Sequence, residues 1–154
     1  YQHLWKRAST HAAAGDLFQL TFLKDNRFYT HSALATAPME LVFTETGAND
    51  PDFNLRREQA LIQRVREAGT QVFVSVLEPH GEYNGSREFT TASASSVAGI
   101  ERAVREDREL LRIISRGGAA STVALSFDAD PSEKQSLSLD DEVYEWTGLF
   151  KLFD

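Results

Sequence analysis

The sequence contains no cysteine among its 154 residues, and its single methionine is Met39. Without cysteine, a disulfide framework and thiolate catalysis are both excluded, while secretion stays open because many exported proteins lack disulfides. No apolar run reaches the roughly 20 residues of a membrane-spanning helix, and no basic-plus-apolar signal peptide opens the chain. The chain starts at Tyr1 rather than at a methionine, so we expect a piece of a longer protein.

Positive charge is scarce as well, since 16 Lys and Arg stand against 23 Asp and Glu, for a net charge of −7. This balance argues against a general binder of nucleic acid or of anionic membranes, because both need a clustered positive surface. A polyanionic ligand would need local cations, for which Arg56, Arg57, Arg64 and Arg66 are the candidates. For Arg64 and Arg66 we favour a solvated strand face whose arginines form salt bridges.

Periodicity predicts strands more often than helices. Residues 17–23 alternate with period two and are followed by Lys24-Asp25-Asn26 and a further extended segment, which predicts a hairpin. Residues 70–77 are almost continuously apolar, as is typical of a strand buried on both faces. Further strands are expected at 40–44, 122–128, 143–146 and 149–153. The number of strands favours an all-β fold, a single antiparallel β-sandwich domain of two packed sheets over residues 1–154.

In two segments, composition and pattern disagree. Residues 57–67 and 100–115 are rich in Glu, Arg, Leu and Ala, and propensity alone would make both helical. The apolar residues in the first segment form no long stripe, however. Those at 110–114 fit a short strand before the turn at Gly117-Gly118.

Polar and turn-forming residues concentrate in two predicted loops. The first, Gly47–Arg57, contains Asn49-Asp50-Pro51, in which Asn and Asp can bond to the backbone ahead while Pro excludes helix at the residue before it. The second, Glu78–Asn84, contains Pro79-His80-Gly81. Both follow predicted strands, so we expect them to carry the chemistry of the chain.

These two loops, with Tyr1–Trp5 at the start and Tyr144–Gly148 near the end, resemble the C-terminal part of oligoalginate lyases of polysaccharide lyase family 17, in the heparinase II/III-like group. The resemblance is most specific over residues 38–84 and becomes loose from Ser93 onward. It implies a parent enzyme with an N-terminal helical toroid followed by β-sandwich modules, which cleaves uronic-acid chains by exolytic β-elimination in the periplasm or outside the cell. It also favours strands at 57–67 and 100–115.

β-Elimination needs a base, a cation or amide that neutralises the substrate carboxylate, and an acid for the leaving oxygen. Asn54, Arg56, His80 and Tyr83 have suitable side chains, and their loops would converge if strands 40–44 and 70–77 are neighbours. The resemblance places the catalytic residues of the family mainly upstream, so we expect these four to face the cleft or the substrate and assign none a catalytic role.

Each of the four residues also has a structural interpretation. His80 would bond to the backbone of a turn, and Tyr83 would pack at a strand edge. Asn54 would cap its own loop, while Arg56 would pair with a nearby acid such as Glu58 or Glu78. We favour these interpretations unless the loops prove to converge.

The resemblance requires no cofactor and allows a structural metal ion in the parent protein. His80 with His31 or His3 and one carboxylate would suit zinc, but the four histidines show no short paired spacing. Trp5 and Trp146 could stack on sugar rings if exposed. Their alternating apolar surroundings favour two core anchors instead.

The leading hypothesis is a supporting module that packs on the N-terminal catalytic helical domain of the same protein and shapes one wall of its cleft for a uronic-acid oligosaccharide. We expect neither nucleic acid nor a membrane as partner. The alternatives are a free-standing carbohydrate-binding domain and a scaffold that forms homo-oligomers through an open sheet edge.

Overall fold

The computed structural model describes residues 2–48, 56–67, 69–127, 130 and 132–154, without the side chains of residues 2, 3, 48 and 56. The described residues form strands, turns and loops, and none of them lies in a helix that could cross a membrane. The strands are β1 (Gln2–Ala12), β2 (Leu17–Lys24), β3 (Arg27–Leu34), β4 (Met39–Ala48), β5 (Arg56–Val65), β6 (Val74–Asn84), β7 (Phe89–Thr91), β8 (Val97–Arg105), β9 (Arg108–Ser115), β10 (Ala120–Ser126), β11 (Lys134–Leu139), β12 (Glu142–Thr147) and β13 (Phe150–Phe153).

The strands form sheets with the orders β1-β4-β5, β2-β3-β6-β7, β13-β10-β9-β8 and β11-β12. The pairings of β1 with β4, β4 with β5, β6 with β7, and β9 with β8 and β10 are all antiparallel. The predicted all-β, antiparallel sandwich class is therefore confirmed. Both segments whose composition favoured helix are strands, because residues 56–65 pair along the whole of β4 and residues 97–115 pair with each other as a hairpin.

Short turns with left-handed residues set the hairpins. The predicted turn between β2 and β3 uses Asp25 and Asn26 at φ of 50° and 63°, the pair of positive φ values that suits a two-residue hairpin loop. Glu106 and Asp140 take φ of 56° and 54° in the β8–β9 and β11–β12 turns. Asp and Asn tolerate this region better than most residues, which accounts for Asp25, Asn26 and Asp140 but not for Glu106.

The second predicted loop is a strand. Glu78–Asn84 is the C-terminal half of β6. The strand predicted at residues 70–77 begins only at Val74, because residues 70–73 lie before β6 and outside any strand. Pro79 lies outside the ladder with β7, which pairs only with Glu82, Tyr83 and Asn84, so its missing N–H removes no bond on that side of the strand. The expected burial on both faces is also wrong, since Phe73 is 52% and Leu77 is 60% exposed.

The chain divides into two compact units, unit 1 with Tyr1–Phe18 and Ala33–Ser75, and unit 2 with Gln19–Ser32 and Val76–Asp154. Unit 1 contains the β1-β4-β5 sheet, whose core combines buried Ala12, Ala35, Met39 and Leu41 with half-buried Phe18, Leu61 and Val65. The single-domain assignment over residues 1–154 stays a prediction.

Unit 2 shows two-layer packing directly. The β11-β12 hairpin lies against one face of the β13-β10-β9-β8 sheet, and their shared core contains Leu110, Ala124, Leu139 and Trp146. Leu110 and Ala124 have no exposed surface, and the Nε1–H of buried Trp146 donates to Ser126 Oγ at 3.0 Å. Trp146 is therefore a core anchor, as predicted, because its ring is covered and its one donor is satisfied.

Gly81 generates a prediction about stability. A Cβ at this position would lie 2.1 Å from the Ala92 carbonyl oxygen and 2.2 Å from that of Thr91, and φ is +45°. Gly81→Ala should cost about 1–2 kcal/mol for the left-handed conformation and about 1–3 kcal/mol more for overpacking, measured by urea unfolding. Gly118→Ala is the matched control, because Gly118 also has positive φ but no atom within 4 Å of its added Cβ. Equal losses in the two variants would contradict the close approach.

Candidate functional site

Buried polar side chains occupy one face of the β2-β3-β6 sheet in unit 2. Thr30 and Ser32 have no exposed surface. Gln19 Nε2 donates to Ser32 Oγ at 2.8 Å and to the Val97 carbonyl at 3.0 Å, and the hydroxyls of Thr21 and Thr30 are 2.7 Å apart. Gln19 and Thr21 are themselves exposed, so these bonds link the buried hydroxyls of β3 to the surface of β2.

His80 of β6 belongs to this network through both ring nitrogens. Its Nδ1 lies 2.8 Å from the Ala92 carbonyl oxygen and its Nε2 lies 2.8 Å from Thr30 Oγ1. Because a carbonyl only accepts, Nδ1 must carry a proton, and in the neutral ring Nε2 then accepts from the Thr30 hydroxyl. Phe28 stacks on the ring with the centroids 6.1 Å apart. The expected bond to backbone is confirmed, although it forms on a strand, and no nitrogen is left over to act as a base.

Glu78 lies two positions before His80 and holds the segment that follows β7. Its carboxylate accepts from the Ser95 hydroxyl at 2.5 Å, from the Ser96 N–H at 3.0 Å and from the Ser96 hydroxyl. Burial of the carboxyl opposes its ionisation, but the hydrogen bonds from Ser95 and Ser96 outweigh that effect and lower the pKa of Glu78. Glu78 therefore has a structural role, which is to fix Ser95 and Ser96 next to β6.

The other three predicted site residues are less directly placed. Tyr83 is half-buried on β6, where its N–H donates to the Asn26 carbonyl at 2.8 Å. Asn54 lies outside the described residues, and so does the side chain of Arg56, which is the first residue of β5. The condition for convergence is wrong, because β4 pairs with β1 and β5 while β6 lies between β3 and β7. A cleft-facing role for these residues stays a prediction.

A cationic and aromatic cluster lies on the β1-β4-β5 sheet of unit 1. The Arg57 guanidinium lies 5.3 Å from the centroid of the Trp5 ring, and Trp5 is 39% exposed, so it is not the core anchor that its sequence context favours. Arg7 is bonded to Glu45, and an Arg57 nitrogen is 3.8 Å from the same carboxylate. The hydrogen bond from Arg7 is the main cause of the lowered pKa of Glu45. The register shift between Lys6 and Ala8 leaves Arg7 outside the β1–β4 pairing, which frees its side chain to reach Glu45.

Glu40 gathers three cations elsewhere on the same sheet. Its Oε2 accepts from Arg64 Nη2 at 2.5 Å and from Arg66 Nη2 at 2.9 Å, and Lys6 Nζ is 3.8 Å from Oε1. The hydrogen bond from Arg64 is the largest cause that lowers the pKa of Glu40 to about 2. The predicted salt-bridged strand face at Arg64 and Arg66 is confirmed. The spacing of Arg64 at the end of β5 and Arg66 just after it was a usable signal, whereas nothing local pointed to Glu40 as their partner.

Sequence reasoning missed a second arginine-centred cluster, in unit 2. Arg112 donates to Asp140 at 2.7 Å, to Glu142 at 2.8 Å and to Glu101 at 3.1 Å, and it also bonds the Tyr144 hydroxyl at 3.1 Å. The bond with Tyr144 is the main cause of the raised pKa of Arg112. Its partners lie on β8, on β12 and in the β11–β12 turn, so the local sequence pattern could not reveal the cluster.

Metal binding finds no support among the residues that the structure describes. No group of three or more His, Asp or Glu side chains there is arranged to hold an ion. Both nitrogens of His80 already have protein partners, and the side chain of His3 lies outside the described part. The described members of the histidine set, His31 and His80, are therefore not arranged with a third ligand around an ion.

Comparison with known proteins finds similarity to two lyases of alginate or its oligomers. No protein-family model matches the sequence. The chain is 39% identical over 148 residues to an alginate lyase of Stenotrophomonas maltophilia and 37% identical over 152 residues to an exo-oligoalginate lyase of Saccharophagus degradans. Each match covers 96% of this chain but only 20% of the relative, so the chain spans about one fifth of the length of these proteins.

The Glu40 cluster predicts a specific acid sensitivity. Because the pKa of Glu40 falls from 4.5 to about 2 on folding, its contribution to stability is complete above 4.5 and is lost as pH falls towards 2. Glu40→Gln should lower the free energy of unfolding at neutral pH, and the difference from the wild type should shrink through this window. Urea titrations at several pH values test this, with Glu106→Gln in the β8–β9 turn as control. A difference that stays constant with pH would contradict the assignment.

Proposed function

We propose that this chain is the C-terminal β-sandwich module of an alginate lyase. The observation that supports this most is the similarity at 39% and 37% identity, which runs along 96% of the chain in proteins named as lyases of alginate or its oligomers. The chain matches only one fifth of the length of those relatives, which favours a supporting module within a larger enzyme. The antiparallel all-β fold agrees with such a module, although fold alone does not specify function.

We further propose that the whole protein belongs to polysaccharide lyase family 17, in the heparinase II/III-like group, and acts by exolytic β-elimination. In that reaction a base removes the proton from the carbon next to the uronate carboxylate, and the resulting electron pair forms a carbon–carbon double bond as the glycosidic oxygen leaves with a proton from an acid. A cation or amide beside the carboxylate stabilises the charge that develops.

The described residues of this chain favour support over chemistry. His80 would have to release the Thr30 hydroxyl from Nε2 to take a substrate proton, because Nδ1 is already protonated, and Arg64 and Arg66 already neutralise Glu40. We therefore assign the base and the acid to another part of the protein, an N-terminal helical domain. The module described here would pack on that domain and shape one wall of its cleft.

The remaining features of the proposal follow from the same resemblance. The substrate is a uronic-acid oligosaccharide, the location is periplasmic or extracellular, and assembly into a homo-oligomer is a further option. No cofactor is required for the elimination.

The Trp5 and Arg57 pair supports a second candidate function, contact with an acidic sugar. The β1-β4-β5 sheet gathers five cations around Glu40 and Glu45, namely Lys6, Arg7, Arg57, Arg64 and Arg66. This sheet is locally positive although the whole chain carries −7. An exposed indole beside a guanidinium offers a sugar ring an apolar surface and its carboxylate a charge-assisted hydrogen bond.

The first test compares the chain alone with the longer protein that contains it. Alginate oligosaccharides are supplied, and the ultraviolet absorbance of the conjugated double bond in the product is followed. We expect product from the longer protein and none from the chain alone. Product from the chain alone would overturn the supporting role, and an inactive longer protein would contradict the assignment as a lyase.

The second test addresses the acidic-sugar contact. Arg57→Gln in the longer protein should weaken oligosaccharide binding by about tenfold, which corresponds to one charge-assisted hydrogen bond of about 1.4 kcal/mol. Arg105→Gln, at an exposed position on β8, is the matched control with the same charge change. Calorimetric titration at two salt concentrations measures both variants, and equal affinities would remove the second candidate.

A further inference from the structure

The β13-β10-β9-β8 sheet of unit 2 has two apolar faces. In an antiparallel pair, residues directly opposite each other point to the same side of the sheet. The register places Phe150 opposite Leu125, and Leu152 opposite Val123, which in turn is opposite Leu111. These residues therefore share one face, which we call the Phe150 face. Leu110 and Ala124 alternate with them and point to the other face, which the β11-β12 hairpin covers.

The Phe150 face is exposed along β13, although Glu109 on β9 and Ile100 on β8, which point to the same side of the sheet, are buried. Phe150 is 73% and Leu152 is 56% exposed, whereas Leu110 and Ala124 have no exposed surface. Val123, Leu125 and Leu111 are half-buried, so the exposure continues from the edge strand into the middle of the sheet. Strands that are apolar on both faces are typical of sheets covered on both sides. Soluble monomers seldom leave contiguous apolar patches of more than roughly a few hundred Å² exposed, and larger ones mark interaction sites.

The ion pair of Arg102 and Glu109 on this face is already satisfied within the chain. Glu109 lies opposite Leu125 and is 1% exposed, and its carboxylate accepts from Arg102 Nε at 2.7 Å and from Arg102 Nη2 at 3.1 Å. Both carboxylate oxygens are thus bonded by one guanidinium. A surface that covers the face could therefore be apolar without stranding a charge.

We infer that the Phe150 face is the docking surface for another part of the same, longer polypeptide, and this inference rests on the proposed function. The relatives are about five times as long as the segment that this chain matches. In a protein of that length, the remaining polypeptide would be tethered to the Phe150 face and so present at a high effective concentration. A second copy fits less well, because unit 2 contains sixteen acidic and ten basic residues and two such units would repel. The partner surface is apolar where it meets Phe150 and Leu152.

Site-directed labelling tests this inference, helped by the absence of cysteine from the chain. Leu152→Cys places a thiol on the Phe150 face, and Val143→Cys places one at a position of the hairpin that is 68% exposed. Maleimide labelling of each thiol is followed by peptide mass spectrometry, in the 154-residue chain and in the longer protein. We expect similar rates at both positions in the chain alone. In the longer protein, labelling at position 152 should slow by about tenfold or more while position 143 stays unchanged.

Equal rates at position 152 in the two proteins would overturn the inference. Protection of position 152 in the isolated chain that grows with concentration would also overturn it, by assigning the face to a second copy. If Leu152→Cys does not fold, as judged by circular dichroism, Phe150→Cys reports on the same face. Lyase activity is measured separately on the unmodified longer protein. Its absence would contradict the proposed function and leave the labelling result as it stands.

Discussion

The core between the β11-β12 hairpin and its neighbouring sheet is the constraint on which unit 2 depends. Trp146 enters this core with Leu139 from one layer, and Leu110 and Ala124 meet them from the other. Burying a large aromatic ring here provides the apolar area that holds two layers together, and the bond to Ser126 removes the cost of burying its N–H. Because the hairpin covers only one face of the sheet, the same alternation that builds the core places Phe150 and Leu152 on the opposite face, where both are exposed.

Positive charge is concentrated on the β1-β4-β5 sheet although the chain as a whole is acidic. A chain with a net charge of −7 nevertheless gathers three cations at Glu40 and two at Glu45 on a single sheet. Exposed ion pairs contribute little to stability one at a time, so the value of these clusters lies in where they hold their side chains. Arginines held by a shared carboxylate keep spare donors, and one of them lies over an exposed tryptophan ring. The proposed contact with an acidic sugar depends on this pair of side chains.

The outcome at His80 shows why residue type alone was a poor guide to a site. The residue is of the right kind for proton transfer, and its neighbours Pro79 and Gly81 are typical of an accessible loop. In the structure Gly81 instead permits a close approach of backbone, and the Ala92 carbonyl that this brings near accepts from Nδ1 of His80. Burial alternates along β6 from Val74 to His80 and shifts by one residue at Gly81, and the partly buried positions Glu78 and His80 are polar, so the apolar pattern of the sequence did not reveal that the strand continues. The placement of Arg56 and Asn54 relative to this histidine stays a prediction.

The alternation of apolar residues and the turn-forming pairs were enough to predict the all-β class and the β2–β3 hairpin, because both depend on neighbours in sequence. The resemblance, rather than composition, decided correctly that residues 57–67 and 100–115 are strands. Which strands are neighbours, which arginine meets which glutamate, and which of two tryptophans is buried depend on contacts between distant residues. Local sequence carries little information about those contacts, since several pairings bury similar apolar area. Only the tertiary structure decided that β4 and β6 lie in different sheets, that Trp5 is exposed beside Arg57, and that Phe150 and Leu152 are exposed on one face of their sheet.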